Sequence, residues 1–185
     1  MTIEPMQFTI KDGRTATIRS PKMEDAEPML SYLYRITGQT PYLMNYPEET
    51  SKYTLEGEIA LFEGMNKAPN QAMILCEVDG QLAANCMIRW GSHIKTRHRA
   101  SLAISVLKEY WNLGIGTRLM EELLRIAKNQ PQLMQVELEF IEGNNRAHAL
   151  YKKMGFRITG VKPNAICLKD GTLLDEYMMM YEIKC

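Results

Sequence analysis

The sequence predicts an α/β (α+β) fold, a mixed sheet flanked by helices, and three observations carry that reading. Two apolar runs, residues 72–78 and 81–90, are joined by Asp79-Gly80, a two-residue hairpin signal. A branched apolar run, Leu102-Ala103-Ile104-Ser105-Val106, leads through a turn and the glycines Gly114 and Gly116 into an amphipathic helix that ends before Pro131. Alternating and helical periodicities then succeed one another in the order β-α-α-β-β-β-α-β-α-β-β. At 185 residues, without a repeat, a low-complexity stretch or a linker, residues 1–185 read as a single domain.

The elements follow in chain order. Residues 8–19 alternate around Asp12-Gly13, as a first strand or hairpin. Residues 20–36 carry a helix start, with Pro21, Glu24 and Asp25, and then Met29, Leu30, Leu33 and Tyr34 at helical spacing. Pro41, Tyr42, Tyr46 and Pro47 break the chain. A second helix over residues 53–66 is expected to turn Leu55, Ile59, Leu61 and Phe62 inward. After the 72–90 hairpin comes a polar, basic loop over residues 91–100.

In the helix that follows Gly116, Leu119, Met120, Leu123, Leu124 and Ala127 share one face, and Arg118, Glu121, Glu122, Arg125 and Lys128 the other. Residues 134–141 alternate as a strand, and Glu142-Gly143-Asn144-Asn145 is a turn. Residues 146–154 form a short helix closed by Gly155. Residues 156–161, 165–169 and 177–183 read as late strands, with a hairpin turn at Asp170-Gly171.

Composition narrows the function classes. Lys+Arg and Asp+Glu stand at 22 each, so the chain is not built as a general nucleic-acid binder. No apolar run approaches the roughly 20 residues of a membrane span, and the N-terminal residues lack the pattern of a secretory signal. Cys76, Cys86, Cys167 and Cys185 show no C-x-x-C spacing, which implies a reducing, cytoplasmic compartment and no metal site. The 14 Met residues read as core filler.

The strand-glycine-helix junction is the first chemical signal. The first-turn N–H groups of a helix lack intrahelical partners, and the macrodipole makes that end partly positive. Glycines there remove side chains that would hold an anion off, which leaves a main-chain cradle for phosphate or diphosphate. A dinucleotide fingerprint needs a third glycine where Leu119 stands, and Gly116-Thr117-Arg118 does not complete a Walker loop. Trp111-Asn112-Leu113-Gly114-Ile115-Gly116 resembles the (Q/R)-x-x-G-x-(G/A) loop of the GNAT superfamily of N-acetyltransferases, with Trp111 in place of the usual Gln or Arg. The residues 144–156, NNRAHALYKKMGF, resemble that superfamily's N-x-x-A-x-x-L-Y-x-K-x-G-F segment at every fixed position.

The resemblance implies a mostly antiparallel sheet with a splayed strand pair that binds the coenzyme, and acetyl-CoA as co-substrate without a metal. It assigns the cofactor to the strand edge Ile104, Ser105 and Val106. It assigns the diphosphate to the loop Trp111, Asn112, Leu113, Gly114, Ile115, Gly116 and Thr117. Asn144 would bond the pantetheine arm, and Tyr151 would bond and protonate the coenzyme sulfur. Each of these two has a plainer reading: Asn144 as a helix N-cap and Tyr151 as a packed helix tyrosine.

The base is left open among three choices. Glu139 matches the glutamate used by the ribosomal-protein N-terminal acetyltransferase branch. His98 in the neighbouring loop is the second, and a water chain is the third. Tyr42, Tyr46, Glu48 and Glu49 would form one acceptor wall, and the hairpin at Asp170-Gly171 another. Arg89, Lys95, Arg97 and Arg99 would reach an adenosine phosphate or keep a loop tip soluble.

The function so implied is acetyl transfer from acetyl-CoA to a small amine or a protein N-terminus, with neither nucleic acid nor membrane as partner. A homodimer through the C-terminal strands is compatible with it. The alternative is a non-catalytic acyl-CoA sensor on the same fold.

Overall fold

The computed structural model describes residues 1–183, so Cys185 lies outside the described residues. The α-helices and strands of the described residues follow in order: β1 (Met6–Thr9), β2 (Thr15–Arg19), α1 (Ala26–Gln39), α2 (Leu55–Lys67), β3 (Gln71–Val78), β4 (Gln81–Trp90), β5 (Arg99–Val106), α3 (Ile115–Lys128), β6 (Gln135–Ile141), α4 (Asn145–Lys153), β7 (Arg157–Cys167) and β8 (Leu173–Glu182). The strands form one mixed sheet in the order β1-β2-β3-β4-β5-β6-β8-β7. The β5–β6 pair is parallel, while β1–β2, β2–β3, β3–β4, β6–β8 and β7–β8 are antiparallel. Two compact units divide these elements.

The first unit comprises Met1–Arg89 and Ala103–Leu119. Its centre is β3, where Ala72 to Cys76 are all buried, as a continuous apolar strand covered on both faces should be. The β3–β4 turn has Asp79 at φ 52° and Gly80 at φ 77°, the type I′ geometry that Asp-Gly favours. Helix α1 buries Ala26, Met29, Tyr32 and Ile36. Tyr34, placed at helical spacing with Met29, Leu30 and Leu33, is exposed, because at 3.6 residues per turn it sits about 200° around the helix from Tyr32.

Helix α2 buries Glu58, Phe62 and Met65, while Leu55 and Leu61 are exposed, against expectation. Leu61 stands about 100° off that stripe, and Leu55 lies in the first turn where the helix has little cover. Arg19 ties β2 to the chain before α1 and to β3. Its guanidinium donates to both Asp25 oxygens at 2.6 and 2.7 Å and pairs with Glu77.

The second unit comprises Trp90–Leu102 and the chain from Met120 onward. Strand β6 pairs with β8 from Gln135↔Glu182 to Ile141↔Glu176, and with the start of β5 from Arg99↔Gln135 to Ser101↔Glu137. The stretches 156–161 and 165–169, expected as separate strands, are one strand, β7. Its ladder with β8 breaks at Lys162 and resumes at Ile166↔Leu174. Pro163 has no N–H for the ladder, and Asn164 adopts φ 54° while its own N–H goes to Asp175 Oδ1 at 2.9 Å. Strand β8 also starts earlier than the expected 177, at Leu173.

Glu122 of α3, assigned by periodicity to the polar face, is 1% exposed. Arg125 one turn on satisfies it with bonds of 2.9 and 2.6 Å, which is how a buried carboxylate is tolerated.

Candidate active site

The glycine loop lies wholly in the first unit. Strand β5 ends at Val106, a short 3-10 turn spans Lys108–Tyr110, and the chain reaches α3 through Trp111 to Gly114. Asn112 adopts φ 63° and Gly114 φ 96°, two left-handed residues on either side of Leu113. Such alternation turns successive main-chain N–H groups toward one concave side, an anion-binding arrangement. A Cβ on Gly114 would meet nothing within 4 Å, so that side of the turn is open.

The Gly114 carbonyl accepts from Arg118 N–H at 3.1 Å, making Gly114 the residue that opens α3. Ile115 and Gly116 therefore belong to the first helical turn, where N–H groups point out along the axis. Two contacts brace the loop from behind. The Leu113 carbonyl accepts from Lys11 N–H at 3.1 Å, and the Trp111 indole donates to the Val106 carbonyl at 2.7 Å.

Of the strand-edge residues, Ile104, Ser105 and Val106 are half-buried. Ser105 Oγ lies 2.8 Å from the hydroxyl of Tyr32 on α1. Sequence reasoning missed Tyr32; its place on the buried Met29–Ile36 stripe was the available signal.

The second cluster lies in the other unit, on α4. Asn144 caps this helix, its side-chain oxygen accepting from Ala147 N–H at 3.2 Å. The plainer reading of Asn144 is thus realised, and its remaining lone pair and amide hydrogens stay open to further bonds. The helix ends in a Schellman motif: Phe156 N–H bonds the Tyr151 carbonyl, and Gly155 at φ 92° bonds the Lys152 carbonyl.

Tyr151 is 7% exposed and packs against Phe140 and Phe156, each with ring centroids 6.2 Å away. Burial pushes its phenol up to about 12. At neutral pH the group is a protonated donor, the state an acid catalyst needs.

Glu139 projects from β6 into solvent and is held by Lys162 Nζ at 2.6 Å. The same ammonium reaches Glu176 at 2.9 Å. Lys162 was not singled out in the sequence, because its register opposite Glu176 depends on the β7–β8 pairing. His98 is half-buried, and its carbonyl accepts from Met134 and Gln135 N–H groups. Arg99 pairs with Glu137 at 3.6 Å, whereas Lys95 and Arg97 are exposed loop residues. Glu49 closes a 3-10 turn over Pro47–Lys52 by accepting from Tyr46 N–H at 2.7 Å.

Residues 32–156 match the family model described as the acetyltransferase (GNAT) family. The chain belongs to the GNAT acetyltransferase family. It is accordingly an N-acetyltransferase, an enzyme that moves an acetyl group onto an amine. Among curated relatives, an N-alpha-acetyltransferase of Sulfurisphaera tokodaii is 28% identical over 163 residues, covering 82% of this chain and 87% of its own. One of Saccharolobus solfataricus is 29% identical over the same coverage. A GNAT acetyltransferase of Streptococcus pneumoniae superposes with a TM-score of 0.85 at 26% identity, covering 91% of this chain and 99% of that one.

Proposed function

We propose that this enzyme takes its acetyl group from acetyl-CoA and delivers it to the α-amino group of a peptide or protein N-terminus. The observation that carries the donor is the open left-handed turn at Asn112 and Gly114, which empties onto the first turn of α3. The acceptor class is supported by the two relatives named N-alpha-acetyltransferases. Small primary amines are the wider class in which that acceptor falls.

In the reaction the amine nitrogen attacks the thioester carbonyl, the C–N bond forms, and the C–S bond breaks. Main-chain donors of residues 112–117 grip the diphosphate. The Ile104 to Val106 edge aligns the pantetheine arm, with Asn144 as a second anchor. Tyr151 gives its proton to the departing sulfur and regains one from solvent. The amine loses a proton to Glu139, to His98 or to water, and Lys162 must release Glu139 for the first of these. Fixed donors facing the developing oxyanion are commonly worth about 3–4 kcal/mol each.

Residues 1–185 act as one acetyltransferase domain, a reading supported by β5 and α3, each of which contributes residues to both units. The cysteines Cys76, Cys86 and Cys167, read as reduced thiols, suit the cytoplasm. Thiol release from acetyl-CoA, measured over a panel of peptides and amines, tests the function, with mass spectrometry to locate the acetyl group. Turnover on peptides carrying a free α-amine is expected. Binding of acetyl-CoA without turnover on any amine would favour the sensor alternative.

A further inference from the structure

We infer that the Tyr32 hydroxyl is a positioning group that converts Ser105 into a fixed O–H donor for the acetyl carbonyl during transfer. The inference rests on the acetyl-transfer reading above and adds to it two side chains.

Tyr32 lies on the inward stripe of α1, 2% exposed, and Ser105 lies half-buried on β5 in the stretch assigned to the acyl arm. Their oxygens are 2.8 Å apart although 73 positions separate them in the chain. The direction of that bond follows from the partners. A phenol is a stronger acid than an aliphatic alcohol, and so the better donor of the two. As the better donor, the phenol gives its one proton to Ser105 Oγ.

Ser105 then accepts from Tyr32 and keeps its own proton for a third partner. The bond also holds its χ1 in one well, so the remaining O–H has a fixed direction and loses no rotamer freedom when a ligand arrives. Burial keeps the phenol neutral, since its pKa is raised above the ordinary tyrosine value chiefly by desolvation. A neutral donor pair of this kind gains strength only as negative charge develops on the carbonyl oxygen, which is the condition for raising kcat rather than binding.

Ser105→Ala, Ser105→Thr, Tyr32→Phe and the Ser105→Ala/Tyr32→Phe double variant test this, with kcat, KM and melting temperature recorded together with acetyl-CoA affinity by calorimetry. Ser105→Ala and Tyr32→Phe should each lower kcat by about 10- to 100-fold, at the lower edge of what one oxyanion donor supplies. Acetyl-CoA affinity should stay within about threefold, Ser105→Thr should retain most of the rate, and the double variant should be no slower than Ser105→Ala.

An unchanged kcat in Ser105→Ala, or losses that multiply in the double variant, would overturn the inference. So would a Tyr32→Phe protein that melts lower yet turns over normally. Should Tyr32→Phe fail to fold, the contrast between Ser105→Ala and Ser105→Thr decides alone. A wild type that acetylates peptides while both serine variants match it sinks the positioning role and leaves the function standing. A wild type inert on every amine sinks both.

Discussion

The indole N–H of Trp111 donates to the carbonyl oxygen of Val106 at 2.7 Å, closing the end of β5 onto the start of the glycine loop. The family pattern has Gln or Arg at this position, so the chain has put a main-chain brace where a side chain with several donors is usual. In the proposed reading the cradle's shape then depends on the indole, while its ligand contacts would come from the backbone. Trp111→Phe removes one net hydrogen bond, worth about 1 kcal/mol. It is expected to raise the KM for acetyl-CoA about fivefold with kcat within twofold, as steady-state kinetics will show.

Tyr151→Phe is expected to lower kcat by about 10²- to 10⁴-fold, the usual contribution of a positioned acid, with acetyl-CoA affinity unchanged. Burial raises the phenol's pKa to about 12, so Tyr151 imposes no alkaline limb on kcat between pH 7 and 10. Stability carries the complementary sign. A raised pKa adds stability that is complete below the unfolded value near 10 and is lost as pH rises toward 12. The buried Cys76 thiol, also pushed up to about 12 by burial, acts in the same direction from pH 9. Denaturant midpoints should therefore fall between pH 9 and 12, and less steeply in Tyr151→Phe.

Arg19→Met should cost about 3–5 kcal/mol, because it leaves buried Asp25 without its partner. Burial alone would raise the Asp25 pKa, but Arg19 and the Lys22 N–H outweigh it and hold the carboxyl below its ordinary value. The stability this carboxylate adds is present above the unfolded pKa and is lost as pH falls below about 4. Urea midpoints of wild type and Arg19→Met should converge under acid and separate at neutral pH. Midpoints that stay parallel would remove the pair from the stability of the first unit.

Glu139→Gln should lower kcat about 100-fold if the carboxylate takes the amine proton. The Lys162 ammonium now occupies that carboxylate at 2.6 Å, so Lys162→Met should leave Glu139 open and lower the KM for a cationic acceptor. A Glu139→Gln enzyme at full rate moves the proton to His98 or to water, and the pH profile of His98→Ala then separates those two.

Local signals carried most of the architecture. The Asp79-Gly80 turn, the α3 stripe of Leu119, Leu123 and Ala127, and the motif through Tyr151 and Gly155 are each set by residues near in sequence, and each stands where the pattern put it. What escaped notice depends on packing between distant segments. Tyr32 differs from Tyr34 only by about 200° of helix, so the choice of inward tyrosine required knowing where Ser105 would lie. Glu122 reads as surface until Arg125 is seen folded over it. The continuity of β7 through Pro163 and Asn164 required the register of β8, which resumes at Ile166↔Leu174. Lys162 reached Glu139 for the same reason: neither local spacing nor charge marks a pair 23 positions apart.

The glycine-loop cradle is tested most directly by calorimetric titration of acetyl-CoA into the wild type and into Gly114→Val, whose φ of 96° a β-branched residue does not tolerate. The expected result is one site per chain in the wild type and affinity at least tenfold weaker in the variant, about 1.4 kcal/mol or more. No heat of binding in the wild type, or equal affinity in the two proteins, would contradict a diphosphate held by the main chain at Asn112 to Thr117.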